Sequence, residues 1–177
     1  PDDAGAQGFR WYRLRSVDGL RLGLDVHAQG SSDLSVVARL ENHSSNQHTV
    51  SLVAPWIEGY RLADQPEDAY YLFPRRGAVL NNRPCNYRER YCGLFPLQFL
   101  DTFSPGTGRG LALRTSDRAC LRKHYLLKKT EDRFNAGVEY PDIVLRSGES
   151  FQTAPATVTA TLGDWHEGFD AYRHWVQ

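Results

Sequence analysis

Apolar and polar side chains alternate with a period of two over most of the chain, the pattern of strands that bury one face. Phe9-Arg10-Trp11-Tyr12-Arg13-Leu14-Arg15 predicts a first strand, Asp18-Gly19 a tight turn, and Leu20 to Val26 a returning strand with its leucines on one face. Leu34 to Asn42 and His48 to Ala54 extend the meander across a polar turn at His43 to Gln47. Further strands are predicted at Tyr70 to Phe73, Leu94 to Leu100, Gly110 to Arg114, Leu121 to Lys129, Phe134 to Tyr140, Ser150 to Thr153 and Thr157 to Leu162. Turn signals at Ser104-Pro105-Gly106 and Arg146-Ser147-Gly148 separate them at intervals that suit an all-β fold, an antiparallel β-sandwich.

Only the carboxyl end changes period. Asp164 takes the N-cap role with Glu167 three residues on, and Trp165, Phe169, Tyr172 and Val176 recur as one stripe of an amphipathic helix. The expected organisation is a sandwich over residues 1–162 and a connector helix over 163–177, pointing toward a further domain. A length of 177 residues suits one domain, or one domain and a piece of the next. It is too short for a complete (β/α)₈ barrel, which takes at least ~200 residues.

Composition narrows the partners. Lys+Arg and Asp+Glu are 21 each, so no whole-chain field favours nucleic acid or an anionic membrane, and neither is expected as a partner. No run approaches the ~20 apolar residues of a membrane-spanning helix, and the amino end has no apolar signal core. The chain starts at Pro1 and lacks Met, which leaves a cleaved signal or a longer parent open, and with it a cytoplasmic, periplasmic or secreted location. Of the 21 basic residues 18 are Arg, the side chain that makes flat bidentate contacts with carboxylates, phosphates and sugar hydroxyls. The three cysteines have no zinc spacing; Cys85 and Cys92 either bridge a loop or remain free thiols.

The densest polar constellation runs from Arg75 to Tyr91, with five Arg, three Asn, two Tyr and one Glu. Planar donors and acceptors suit vicinal hydroxyls, and aromatic faces stack on the C–H side of a pyranose. Read as a loop over a rigid sandwich, the segment offers Arg75, Arg76, Asn81, Asn82, Arg83, Asn86 and Tyr87 as candidate carbohydrate contacts. The bland alternative is a surface loop whose arginines pair with acidic neighbours. Trp56, beside Pro55 at a strand end, is either a further stacking platform or a core residue. Glu41, Glu58, Asp101 and Glu139 are the acidic candidates, and no spacing selects a glycosidase pair among them. The six histidines are scattered without a metal motif, and no metal or cofactor is expected. Gly106-Thr107-Gly108-Arg109-Gly110 joins two strands and reads as a hairpin turn, not a phosphate loop.

Four segments, Tyr70-Tyr71-Leu72-Phe73-Pro74, Arg76-Gly77-Ala78-Val79-Leu80-Asn81, Leu94 to Asp101 and Gly110 to Thr115, resemble the galactose-mutarotase-like β-sandwich that precedes the catalytic (β/α)₈ barrel in several bacterial glycoside hydrolases. Gly163-Asp164-Trp165-His166-Glu167-Gly168 with Tyr172-Arg173-His174-Trp175 is similar to the helical connector into that barrel. The resemblance implies a non-catalytic domain of a carbohydrate-active enzyme, packed on its own downstream catalytic domain and lending a loop to the sugar pocket. An independent carbohydrate-binding module and a pure interdomain scaffold are the alternatives. Free-standing mutarotases use a His acid and a Glu base, and no pair here matches those positions.

Overall fold

The computed structural model describes residues 2–4, 10–13 and 18–177. Among them are two antiparallel sheets packed face to face, with one helix on the outside. The strands are β1 (Asp2–Ala4), β2 (Arg10–Arg13), β3 (Leu20–Gln29), β4 (Asp33–Asn42), β5 (His48–Arg61), β6 (Tyr70–Phe73), β7 (Val79–Asn81), β8 (Cys85–Arg90), β9 (Phe99–Ser104), β10 (Arg109–Thr115), β11 (His124–Thr130), β12 (Arg133–Leu145), β13 (Ser150–Gln152) and β14 (Ala156–Leu162). The larger sheet runs β1-β2-β3-β4-β14-β10-β9-β6-β7, with β13 also on β4; the smaller runs β5-β12-β11-β8. Phe9, Leu14 and Arg15 of the first expected strand lie outside the described residues.

The alternation read from the sequence becomes the interior. Tyr71, Phe73, Phe95, Leu100, Leu113, Tyr125, Leu127, Phe134, Val138 and Tyr140 are all buried between the sheets. An aromatic run crosses this core from Tyr87 to Phe73 at 5.0 Å, then to Phe95 and on to Tyr125 at 4.6 Å each. Gly19 lies in the β2–β3 connection at φ +74, a conformation that side chains with a Cβ resist. Pro55 sits inside β5, which is tolerated because β5 is an edge strand.

Three expectations are corrected. The strand predicted at Leu94 to Leu100 begins only at Phe99: Pro96 has no N–H to donate, and Phe95 plugs the core from a turn instead. The strand predicted from Leu121 begins at His124, after a turn built around Asp117. The Arg75 to Tyr91 loop is in fact two strands, β7 on the edge of the larger sheet and β8 on the edge of the smaller, joined by a short turn.

The helix, α1 (Trp165–Val176), is capped as expected, with Asp164 Oδ1 accepting from His166 N at 3.0 Å. Glu167 reaches past the cap to accept from Leu162 N at 2.7 Å. The helix lies on the outer face of the larger sheet over β9, β10 and β14. There Phe169 and Tyr172 pack on Phe99, and the Tyr172 hydroxyl accepts from Gln98 N at 3.1 Å. Gly168 is buried where the helix crosses Asp101 and Ala112, too close for any side chain.

Candidate functional site

Strand register gathers the chemistry on the outer face of the smaller sheet. Side chains alternate between faces, so Tyr125 and Leu127 of β11 point inward while His124, Leu126 and Lys128 point out. Cross-strand pairing then lines up Arg90, His124, Glu139 and Val53 in one row and Arg88, Leu126, Gly137 and Trp56 in the next, with Asn86, Lys128 and Asn135 in a third. The rows span four strands, about 14 Å from the β5 edge to the β8 edge.

Trp56 is the apolar centre of this face. Its ring lies over Gly137, is 43% exposed, and forms a depression of about 330 Å³ with Val53 and Leu126. A Cβ at position 137 would stand 2.6 Å from Pro55 O and 2.7 Å from Trp56 Cε3. Glycine is therefore what lets the indole approach this closely. Gly137→Ala is expected to destabilise the fold by ~1–3 kcal/mol, because the backbone oxygen of Pro55 cannot yield as a side chain would. Urea denaturation checks this, and an unchanged midpoint would show that the indole is not seated on the glycine.

Polar groups border the depression. Glu139 Oε2 accepts from Arg88 Nε at 2.7 Å and lies 3.3 Å from His124 Nδ1. Burial, and then the positive charge of Arg88, hold the His124 imidazole below its ordinary pKa, with Glu139 acting the other way. The imidazole is thus neutral at neutral pH, and the row presents a carboxylate, a guanidinium and a neutral ring beside an open indole. The acidic candidates do not converge on a common centre. Asp101 faces α1 on the opposite side of the sandwich, Glu41 is held by Arg39 at 3.1 Å and His43 at 3.0 Å, and Glu58 is exposed farther along β5.

The residues singled out from the sequence separate. Trp56 and Asn86 share the outer face. Tyr87 turns inward onto Phe73, so its ring faces the core. Asn81 Oδ1 accepts from the backbone of Asn82 at 2.8 Å and Arg83 at 3.0 Å, and Asn82 Nδ2 donates to Glu67 O at 2.7 Å; both asparagines build the β7–β8 turn. Arg75 reaches Glu89 at 3.5 Å, while Arg76 and Arg83 are exposed. The neighbours of Trp56 that the sequence alone did not single out are Arg88, Leu126, Gly137 and the His124–Glu139 contact. For Arg88 a signal existed: with 85–90 taken as a strand, parity puts Asn86, Arg88 and Arg90 on one face and Tyr87 on the other. A second cavity, about 520 Å³, opens between the sheets beside β5, lined by Leu22, Leu24, Val36, Leu52, Ile57 and other apolar residues. Trp56 also borders it, and the indole N–H is the one side-chain donor in its lining, so a sugar there would lose most of its hydrogen bonds to water without replacement.

No family model and no curated protein matches the chain. Solved structures do. A provisionally assigned aldose 1-epimerase from Klebsiella pneumoniae is similar with a TM-score of 0.59 at 15% identity, over 95% of this chain and 53% of that one. A second provisionally assigned aldose 1-epimerase, from Escherichia coli K12, gives 0.56 at 14% identity, over 86% of this chain and 64% of its own. The GH36 alpha-galactosidase AgaA from Geobacillus stearothermophilus gives 0.56 at 12% identity, over 81% of this chain and 22% of that one. The chain thus spans less than two thirds of each of these proteins, and at such identities the likeness is one of fold: a galactose-mutarotase-like β-sandwich.

Proposed function

We propose that the chain is a non-catalytic β-sandwich domain of a carbohydrate-active enzyme and that it meets sugar on the outer face of its smaller sheet. The observation that carries the proposal is Trp56, a partly exposed indole packed against Gly137 beside Glu139, Arg88 and His124. An indole face takes the C–H side of a pyranose, and the carboxylate and guanidinium pair with hydroxyls at its rim. Asn86 and Lys128 extend the polar rim toward β8, enough surface for an oligosaccharide. Fold likeness to sugar-processing proteins supports the substrate class by analogy only.

The non-catalytic reading is supported by the acidic candidates, which do not converge on a common centre. On this face Glu139 Oε2 is engaged by both Arg88 Nε and His124 Nδ1, so the carboxylate is already held within the sheet. Residues 163–177 are on the same proposal the connector to a catalytic barrel, in keeping with the small share of the alpha-galactosidase that the sandwich covers. The exposed Arg76 and Arg83 are left as the loop candidates for that neighbour's pocket.

A glycan array followed by calorimetric titration tests the face. The chain is expected to bind at least one glycan class without turning it over. Trp56→Ala is expected to weaken binding at least tenfold, with a stability loss of ~1–2 kcal/mol that leaves the chain folded, since the residue is 43% exposed. Binding that survives Trp56→Ala would move the site elsewhere, and hydrolysis or anomer interconversion by the chain alone would overturn non-catalysis.

A further inference from the structure

The fold separates one pair of cysteines and brings the segments of another to one corner. Cys85 begins β8 opposite Lys129, and Cys92 lies beyond the far end of that strand, where Arg90 faces His124. About 20 Å of extended chain keeps these two thiols apart, and a disulfide needs Cα atoms within ~7 Å. Cys92 instead shares a neighbour, Tyr91, with Cys120. Tyr91 N donates to Lys123 O at 3.0 Å, which zips the end of β8 to the segment entering β11 and brings the two exposed cysteines to one corner. The Tyr91 phenol interacts with both thiols, and the Lys123 ammonium, 4.5 Å above that ring, is felt by both as well.

The corner is rigid. Buried Asp117 accepts from Ala119 N at 2.9 Å and Leu121 N at 2.7 Å and pairs with buried Lys123, fixing the turn that presents Cys120. Cys92 N donates to Phe95 O at 3.2 Å, holding the opposite turn. Both cysteines adopt positive φ, 62 and 53, a conformation fixed by these turns. Arg90 and Arg118, exposed on the same two segments, attract anionic reagents.

We propose that Cys92 and Cys120 form a reversible dithiol–disulfide site that reacts with small-molecule disulfides such as oxidised glutathione. One cysteine thiolate attacks a sulfur of the reagent and expels one glutathione thiolate, leaving a mixed disulfide. The second cysteine thiolate attacks the protein-bound sulfur and expels the other glutathione. Two protein thiols thereby lose two electrons and two protons, and one reagent disulfide becomes two thiols. The bond staples the turn after β8 to the turn before β11. Because Arg76 N donates to Leu94 O at 2.5 Å, it also braces the loop that carries Arg75 and Arg76.

The chain is incubated with oxidised glutathione, and its thiols are counted under denaturing conditions and mapped by peptide mass spectrometry. Of the three thiols, one is expected to remain, Cys85, with a Cys92–Cys120 cross-linked peptide and no retained glutathione. Tm is expected to rise by roughly 5–10 °C on oxidation and to return with dithiothreitol. Cys92→Ser and Cys120→Ser should each stop at a stable glutathione adduct on the remaining partner, and Cys85→Ser should behave as the parent does. Three unreacted thiols, separate glutathione adducts on both cysteines, or predominantly intermolecular cross-links would each overturn the proposal.

Discussion

Asp117→Ala is expected to be among the most damaging single substitutions in the chain, costing ~3–5 kcal/mol. Lys123 is fully buried and Asp117 is 2% exposed, so removing the carboxylate strands an ammonium with no counter-charge. Burial already holds Lys123 below its ordinary pKa, with Asp117 supplying the main opposing effect. The same carboxylate also satisfies the amides of Ala119 and Leu121, and these bonds are lost together with the ion pair. Lys123→Met is expected to cost less, because Asp117 then keeps its two backbone donors. Urea denaturation of both variants measures the asymmetry. Equal losses would mean that the turn contributes nothing beyond the charge pair.

Stability is also expected to fall as pH rises from about 4 toward 8, through Asp101. Its carboxyl is completely buried under Gly168 of α1, and neither oxygen has a well-formed hydrogen bond, although the Thr102 N–H partly offsets the burial. Burial, with Asp164 and Glu167 nearby in the first turn of α1 adding like charge, raises its pKa from 3.8 to about 8. The folded state holds this proton where the unfolded state has released it. The group's contribution is therefore full below the unfolded value of 3.8 and is lost progressively up to about 8. At ~1.4 kcal/mol per pH unit the loss by neutral pH is on the order of 4 kcal/mol. Asp101→Asn, an uncharged isostere, is expected to be more stable than the parent at pH 7 by a few kcal/mol and indistinguishable from it at pH 4. Parent stability that is equal at pH 5 and pH 8 would contradict this assignment.

Strands whose inward residues are strongly apolar were legible from the sequence, as was the helix with its Asp164 cap, because local period and capping chemistry suffice for them. β8 was not legible. Cys85, Tyr87 and Glu89 are a weak inward set, and the arginines between them look like a loop when the partner strand β11 is unknown. The offset of β9 traces to Phe95, which is as apolar as a strand residue but reaches the core from a turn. At the candidate site, Trp56 beside a proline was singled out, but the sequence left it between a stacking platform and a core residue. His124 and Glu139, by contrast, meet only through the β11–β12 register, and Gly137 matters only because Trp56 lies across it from β5. Such cross-strand neighbours are set by long-range pairing, which a single sequence does not encode locally.

Amide chemical-shift mapping by NMR, with titration of a glycan that the chain binds, tests the central claim most directly. Perturbations confined to Trp56, Leu126, Gly137 and Glu139, together with a shift of the Trp56 indole N–H, are the predicted result. Shifts centred on residues 75–83 or on the cleft between the sheets, with the Trp56 indole unmoved, would contradict it.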